Sequence, residues 1–422
     1  MWRAVWLQLK GTRLAWLLAA AALAWLRLRK LRNARELLGW ASHGRRRGAL
    51  GAALPAVGSV VGHVARLELF PLKSAQGVSV ERAAVGAAGL EADRVVMVLD
   101  ARGAPVTQRM LPELARLRVD EVNLLRGRVR LAAPAELRVE PLELDVARAQ
   151  GLSREQQTFT VDLHGLACRC VAFGAAEDAW LCRVLDLLDG GRGRRSGYRL
   201  VTVARGERRH VHWSAARALM RASLPHDATL LADLAPLSLI SEASLAALNE
   251  HVCGCGGQEG AREPACRCVP ADRFRSNLVV RMSDSSLAFL EDHVETLAVG
   301  DTELRVIGPT FRCVMPSVCQ RSGEAGFRKG LQTPAAEPLP TLKLLRPGGL
   351  RFGLSGLLPN AMGGSAGFAP LFGVYLGCPD ADSQSELRVG DPVRVKKYRD
   401  APGPLTTIVY LVGASLGLSH PS

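Results

Sequence analysis

From Leu114 to Val146 the chain moves through short apolar–polar alternations such as "VRLAAPAELRVEPLEL", with no sustained helical period. A period of two places apolar side chains on one face of a pleated strand, so such a stretch is expected to bury itself as half-covered sheet. The same pattern recurs on both sides. "HVARLELFPLKS" alternates at Val64, Leu67 and Leu69, and "RVVMVLDARGAPV" reads as two strands around a turn at Asp100 to Gly103. Two copies of "VGD", at Val299–Asp301 and Val389–Asp391, each lead into further alternation, "TELRVIG" and "PVRVKK", and read as turns entering strands. The expected fold class is α+β and mostly β.

Two helices interrupt this pattern. In "GAAEDAWLCRVLDLLDGG" the residues Trp180, Val184, Leu187 and Leu188 fall on one face, ended by Gly190 and Gly191. The second begins at "SEASLAALNEHV", where Ser241 suits the cap and Glu242 the positive helix end. The loop "GGRGRRSG" lacks the lysine–hydroxyl ending and preceding strand of a phosphate-cradling loop, and reads as a surface loop.

Charge separates the first fifty residues from the remainder. The chain of 422 residues carries a net +14, of which the segment 1–50 contributes +10 through eleven Lys and Arg against Glu36. The remaining body is nearly balanced, so its arginines read as a solvated surface and nucleic-acid binding is not expected. Within the leader, "LAWLLAAAALAWL" (Leu14 to Leu26) is uncharged. Thirteen helical residues rise about 20 Å, against a hydrocarbon core of about 30 Å. Snorkelling arginines and interfacial Trp16 and Trp25 suit a tilted or thin anchor. A signal or transit peptide and a surface-lying helix are the alternatives, although "RLRKLRNARELLGW" offers no small-residue cleavage site. The basic flank predicts a body facing the cytosol. The expected organisation is a membrane anchor over 1–35, a linker over 36–61, β-rich domains over 62–225 and 226–398, and a tail over 399–422. The apolar tail stretch "LTTIVYLVGASLGL" reads either as a last strand or as a membrane contact.

Ten cysteines are too few for a disulfide scaffold, and a cytosolic body would keep them mainly as thiols. Cys253, Cys255, Cys266 and Cys268 form two C-x-C pairs in a glycine-containing loop. Four thiolates can enclose zinc, although C-x-C chelates less easily than C-x2-C, so reduced thiols and loop disulfides stand beside a structural zinc. His210 and His212 form a candidate ligand pair with no third ligand nearby, and read as surface or packing residues. Cys313, in "TFRCVMPSVCQRSG", is a core thiol, half of a disulfide or a ligand for a soft metal. Lys73, Arg94, Arg109, Arg275 and Asn277 are scattered near strand ends. Such dispersed cations are what an anionic, phosphate-bearing cofactor requires when no single loop cradles it.

Taken in order, "LFPLKSAQGV", "DRVVMVLD", "VTQRMLPEL", "LHGL", "LISEASLAALN", "FRSNLVV", "GDTELRV", "FRCVMPSV", "EPLPTLK", "PLFGVY" and "VGDPVRV" resemble the MOSC-domain family. The resemblance is strongest to its membrane-anchored, amidoxime-reducing branch and covers roughly residues 61 to 395. It implies an N-terminal β-rich MOSC-associated domain and a MOSC β-barrel domain with a molybdenum cofactor of the molybdopterin form between them. Lys73 and Ser74 would lie at the cofactor phosphate, Arg94 would match the arginine of the "DR" pair, and Arg275 and Asn277 would grip the pterin. Cys313, after Arg312, would be the molybdenum ligand. The resemblance further implies reduction of N-hydroxylated compounds with electrons from a b5-type cytochrome and its NADH reductase. The implied location is the mitochondrial outer membrane, with peroxisomal or other endomembranes as alternatives.

Four features depart from that pattern. Leu234 and Ala235 replace a Thr–Ser pair, and Phe311 replaces a small hydroxyl residue. Cys319 and Gln320 replace an acidic turn, and the four-cysteine loop is an insertion. These departures frame the second reading, a degenerate member acting as a membrane-tethered binding or scaffold protein. A third reading, the handling of cofactor sulfur, lacks an aminotransferase-like domain to supply that sulfur.

Overall fold

The computed structural model describes residues 54–151, 158–163, 166–193, 195–210, 228–253, 268–326, 337–346, 370–378 and 385–399. The leader, the tail beyond Arg399, His212, Cys255 and Cys266 lie outside the described residues. Among the described residues no helix is long and apolar enough to cross a membrane.

Seven strands close on themselves. Val60–Leu69 pairs antiparallel with Leu278–Met282, which runs parallel to Leu237–Ser241. Leu371–Gly377, Thr302–Phe311, Val294–Val299 and Pro392–Tyr398 follow in order, all antiparallel, and the last returns to Val60–Leu69. Alternate residues such as Val64, Leu239, Val280, Leu297, Leu304, Val374 and Val393 fill one continuous core, as the period of two requires. The first barrel strand precedes the remaining six by a long stretch of chain, so the spatial units do not follow the sequence segments. Both "VGD" turns behave as expected, with Gly300 and Gly390 at positive φ before Thr302–Phe311 and Pro392–Tyr398.

The rest of the N-terminal half forms a second body. A five-stranded antiparallel sheet runs in the spatial order 158–163, 166–172, 199–203, 96–99, 105–106, and a three-stranded sheet comprises 118–123, 128–132 and 142–145. The Asp100 carboxylate accepts from the Arg102 and Ala104 amides and so closes the expected hairpin turn. The helix Ala175–Leu188 packs here, but its buried face is Leu181, Val184 and Leu185, not the face centred on Trp180 and Leu187. Leu187 is exposed. The Trp180 indole stays at the rim, where its N–H finds the Glu140 carbonyl at 2.7 Å. An indole donor needs such a partner, and that need moves the face by one residue.

The second expected helix spans Glu242–Cys253. The Ser241 hydroxyl accepts from the Ser244 amide at 3.0 Å, which is the predicted cap. Asn249 ties the far end of this helix to the chain beyond the four-cysteine loop, donating to the Val269 carbonyl and accepting from its amide.

Candidate functional site

The site residues lie at chain reversals between the two bodies. Six non-glycine residues among the described ones have positive φ, and three of them are Ser74 (70°), Arg94 (48°) and Arg275 (52°). Left-handed backbone costs an ordinary residue about 1–3 kcal/mol and survives where the surroundings over-determine it.

Arg94 is the hub. Its guanidinium pairs with Asp93, reaches the Asn277 side-chain oxygen at 3.1 Å and donates to the Arg275 carbonyl at 2.9 Å. Asn277 ties two barrel strands together, accepting from the Ser238 amide at 3.3 Å and donating to the Glu68 carbonyl at 3.2 Å, and its bond with Arg94 reaches the second body. Arg275 donates to the Ala75 carbonyl and, at 3.2 Å, to Gln320 Oε1. The guanidiniums of Arg94 and Arg275 lie 4.6 and 4.5 Å from the centre of the Phe70 ring. One aromatic thus serves two cations.

Lys73 is buried, donating to the Leu231 carbonyl at 2.6 Å and pairing with Asp233. Arg109 approaches the other Asp233 oxygen at 3.4 Å. Arg312 donates to the carbonyls of Phe372 and Phe274, both at 2.8 Å, and its guanidinium lies over the Phe274 ring. The next residue, Cys313, is exposed. Two register shifts in Thr302–Phe311, one of them at Pro309, bend the strand before it delivers this thiol.

Burial dominates the electrostatics. It holds the Lys73 ammonium below its ordinary value although Asp233 opposes the shift. Arg275 is pushed down to about 9 and Arg312 to about 10, again by burial first. Among the described residues, Asp93 and Asp233 are the carboxylates within salt-bridge distance of Lys73, Arg94, Arg275 or Arg312. Arg312 Nη2, Ser276 Oγ and Thr310 Oγ1 are buried with no hydrogen-bond partner. A surplus of desolvated cations with an orphaned guanidinium nitrogen suits an anionic, oxygen-rich ligand. The neighbouring thiol suits a soft metal. The residues present fit a phosphate-bearing molybdenum cofactor.

The departures from the family pattern have definite places. Leu234 and Ala235 join Ile307 and Tyr375 in a small apolar cluster, so this wall offers packing where hydroxyls were expected. Gln320 is buried and pairs reciprocally with the Gln108 side chain, at 2.9 and 3.1 Å, while accepting from Arg275. Phe311 is half-buried opposite Leu371. Cys319 is half-buried in the following turn; burial raises its thiol, but hydrogen bonds from Ser322 and Arg321 together with the nearby Arg273 charge hold it below the ordinary value.

The structure brings together Lys73, Ser74, Arg94, Arg275, Asn277, Arg312 and Cys313, which the family resemblance named, and Arg109 joins them. Sequence reading missed Phe70, Asp93, Gln108, Asp233 and Tyr375. Phe70, Asp93, Gln108 and Tyr375 sit within quoted motifs, whereas Asp233 lies outside them; what each contacts is set only by the fold. Of the four-cysteine loop, Cys253 donates to the Asn249 carbonyl at 3.0 Å and Cys268 is half-buried. No group of three or more potential metal ligands occurs among the described residues.

Two family profiles match the chain: the MOSC N-terminal beta barrel domain over residues 61–187 and the MOSC domain over residues 226–394. The chain belongs to the MOSC-domain family. This MOSC protein is 28% identical over 341 residues to mitochondrial amidoxime-reducing component 1 of Homo sapiens, covering 79% of this chain and 82% of that one. It is 28% identical over 368 residues to mitochondrial amidoxime reducing component 2 of Rattus norvegicus, covering 82% and 91%. It is also 30% identical over 298 residues to the molybdenum cofactor sulfurase of Anopheles gambiae, covering 68% of this chain but 33% of that one.

Proposed function

We propose that this MOSC protein is a membrane-anchored molybdenum-cofactor oxidoreductase that reduces N-hydroxylated compounds of the amidoxime type. Its electrons would come from a b5-type cytochrome and that cytochrome's NADH reductase, at a mitochondrial outer membrane with the body facing the cytosol. The observation that carries this reading is the surplus of buried cations, with Arg312 Nη2 unpartnered, immediately before the exposed thiol of Cys313. The names of the mitochondrial relatives support the substrate class and the location.

In this reading Lys73, Ser74, Arg94, Arg275, Asn277 and Arg312 hold the pterin and its phosphate, and Cys313 supplies the metal thiolate. When bound, the cofactor supplies a molybdenum centre able to take up and deliver two electrons. Leu234, Ala235 and Ile307 keep water from one wall. Tyr375 lies in the field of Arg312, Asp233, Cys313 and Arg94, and burial raises its phenol, so it keeps its proton at Oη.

Metal analysis of the full chain, purified from a cofactor-competent host, tests the proposal. Stoichiometric molybdenum that is lost in Cys313→Ser supports it. A folded preparation without molybdenum sinks it and favours the second reading, a membrane-tethered scaffold, which the apolar cluster at Leu234 and Ala235 motivates.

A further inference from the structure

Arg209 belongs to neither matched region of the chain, lying between residues 187 and 226. It is buried. Among the described residues its guanidinium donates to three backbone carbonyls: Nε to Leu230 at 2.8 Å, Nη1 to Leu163 at 3.2 Å and Nη2 to Ala232. The carbonyl between them, of Leu231, turns the other way and receives Lys73 at 2.6 Å, while the Leu231 amide donates to the Arg94 carbonyl at 3.2 Å. The segment 230–232 is a run of bends, held by Arg209 at the carbonyls of Leu230 and Ala232 and by Lys73 and Arg94 at Leu231. The next residue is Asp233, partner of both Lys73 and Arg109.

We infer that Arg209 is a positioning residue that fixes the Lys73–Asp233 pair, and through it the phosphate-side cation of the cradle, by holding the carbonyls of Leu230 and Ala232 beside that of Leu163. Lysine cannot replace it fully, because an ammonium lacks the planar fork that reaches three carbonyls at once. Glutamine leaves those carbonyls without a cationic donor and releases the segment. Asp233 then loses its place, and Lys73 loses both acceptors together. The link to cofactor retention rests on the proposed function; the link from Arg209 to Lys73 does not.

Two measurements separate these claims. The full chain, made in a host that cannot synthesise the cofactor, is treated briefly with an amine-acylating reagent, and Lys73 labelling is quantified by mass spectrometry over a range of pH. Lys343 and Lys396 serve as internal controls. Arg209→Gln should label Lys73 about tenfold faster or more, the effect of losing one charge-assisted hydrogen bond. Arg209→Lys should fall between it and the wild type, and Asp233→Asn should reproduce the Arg209→Gln profile. The control lysines should not change. Molybdenum content is then compared for the same variants made in a cofactor-competent host, where Arg209→Gln should retain about tenfold less and Arg209→Lys an intermediate amount. Unchanged Lys73 labelling in folded Arg209→Gln overturns the positioning role. If that variant does not fold, wild-type labelling in Arg209→Lys together with Asp233→Asn overturns it equally. Absence of molybdenum from every protein, wild type included, removes the cofactor reading and leaves the labelling result standing.

Discussion

Gln320 occupies a position where the family resemblance leads one to expect an acidic turn, and it takes a different part there. Its amide accepts from Arg275, exchanges hydrogen bonds with Gln108 and donates to the Val318 carbonyl, while its own carbonyl accepts from Gln76 at 3.1 Å. A neutral side chain thereby joins the N-terminal body to the turn after Cys313 without neutralising Arg275. Gln320→Leu fills similar volume but takes both Gln320 contacts from the buried Gln108 amide, which keeps the Ser74 carbonyl at 2.9 Å, and removes one Arg275 acceptor. It should cost about 1–3 kcal/mol, read as a lower denaturation midpoint. A midpoint equal to that of the wild type would mean that water replaces the lost contacts. At this scale legibility was uneven. Lys73, Arg94, Arg275, Asn277 and Cys313 carried their chemistry in sequence order, whereas Gln108 and Asp233 are ordinary polar residues until the fold sets them beside Gln320 and Lys73.

The barrel strand Leu371–Gly377 shows what elements add. Gly373 has φ of 72°, and a Cβ there would lie 2.5 Å from the Leu239 carbonyl oxygen and 3.3 Å from Arg312 Nη2. Glycine lets this strand approach its neighbour while Phe372 presents its carbonyl to Arg312. Gly373→Ala should destabilise the protein by about 1–3 kcal/mol from the backbone alone. Because the added methyl also presses on Arg312, molybdenum content should fall with it; full metal content in a destabilised Gly373→Ala would separate the strand from the site. Strand existence was legible because alternation is a local property. The burial of the helix Ala175–Leu188 was less so: Leu181 and Leu185 compete with Trp180 and Leu187 for the core, and the partner of the Trp180 indole, Glu140, lies forty residues away.

For the molecule as a whole, buried charge sets how stability varies with pH. Glu291 accepts from Ser244 at 2.7 Å and Ser241 at 3.4 Å, and burial, reinforced by Asp292 and opposed by Arg346, raises its carboxyl to about 7. The folded state binds this proton more tightly than the unfolded chain, whose value is 4.5. Stability from this group is therefore full below about pH 4.5 and is lost as pH rises through about 7. The loss is on the order of 3 kcal/mol. Glu68 and Asp272, also raised by burial, act in the same direction. Glu291→Gln should flatten the curve, and its midpoint should gain on the wild type between pH 5 and 8; parallel curves would place the titration elsewhere. The barrel core was legible from alternation, but its closure was not, because pairing of Val60–Leu69 with Pro392–Tyr398 joins segments more than 300 residues apart. That seam also bears on how the molecule is made. At about 5–20 residues per second, a ribosome that has released the first barrel strand needs roughly 20–70 s to deliver the last one. The strand nearest the leader must wait, unpaired on that edge, while the rest of the barrel is synthesised.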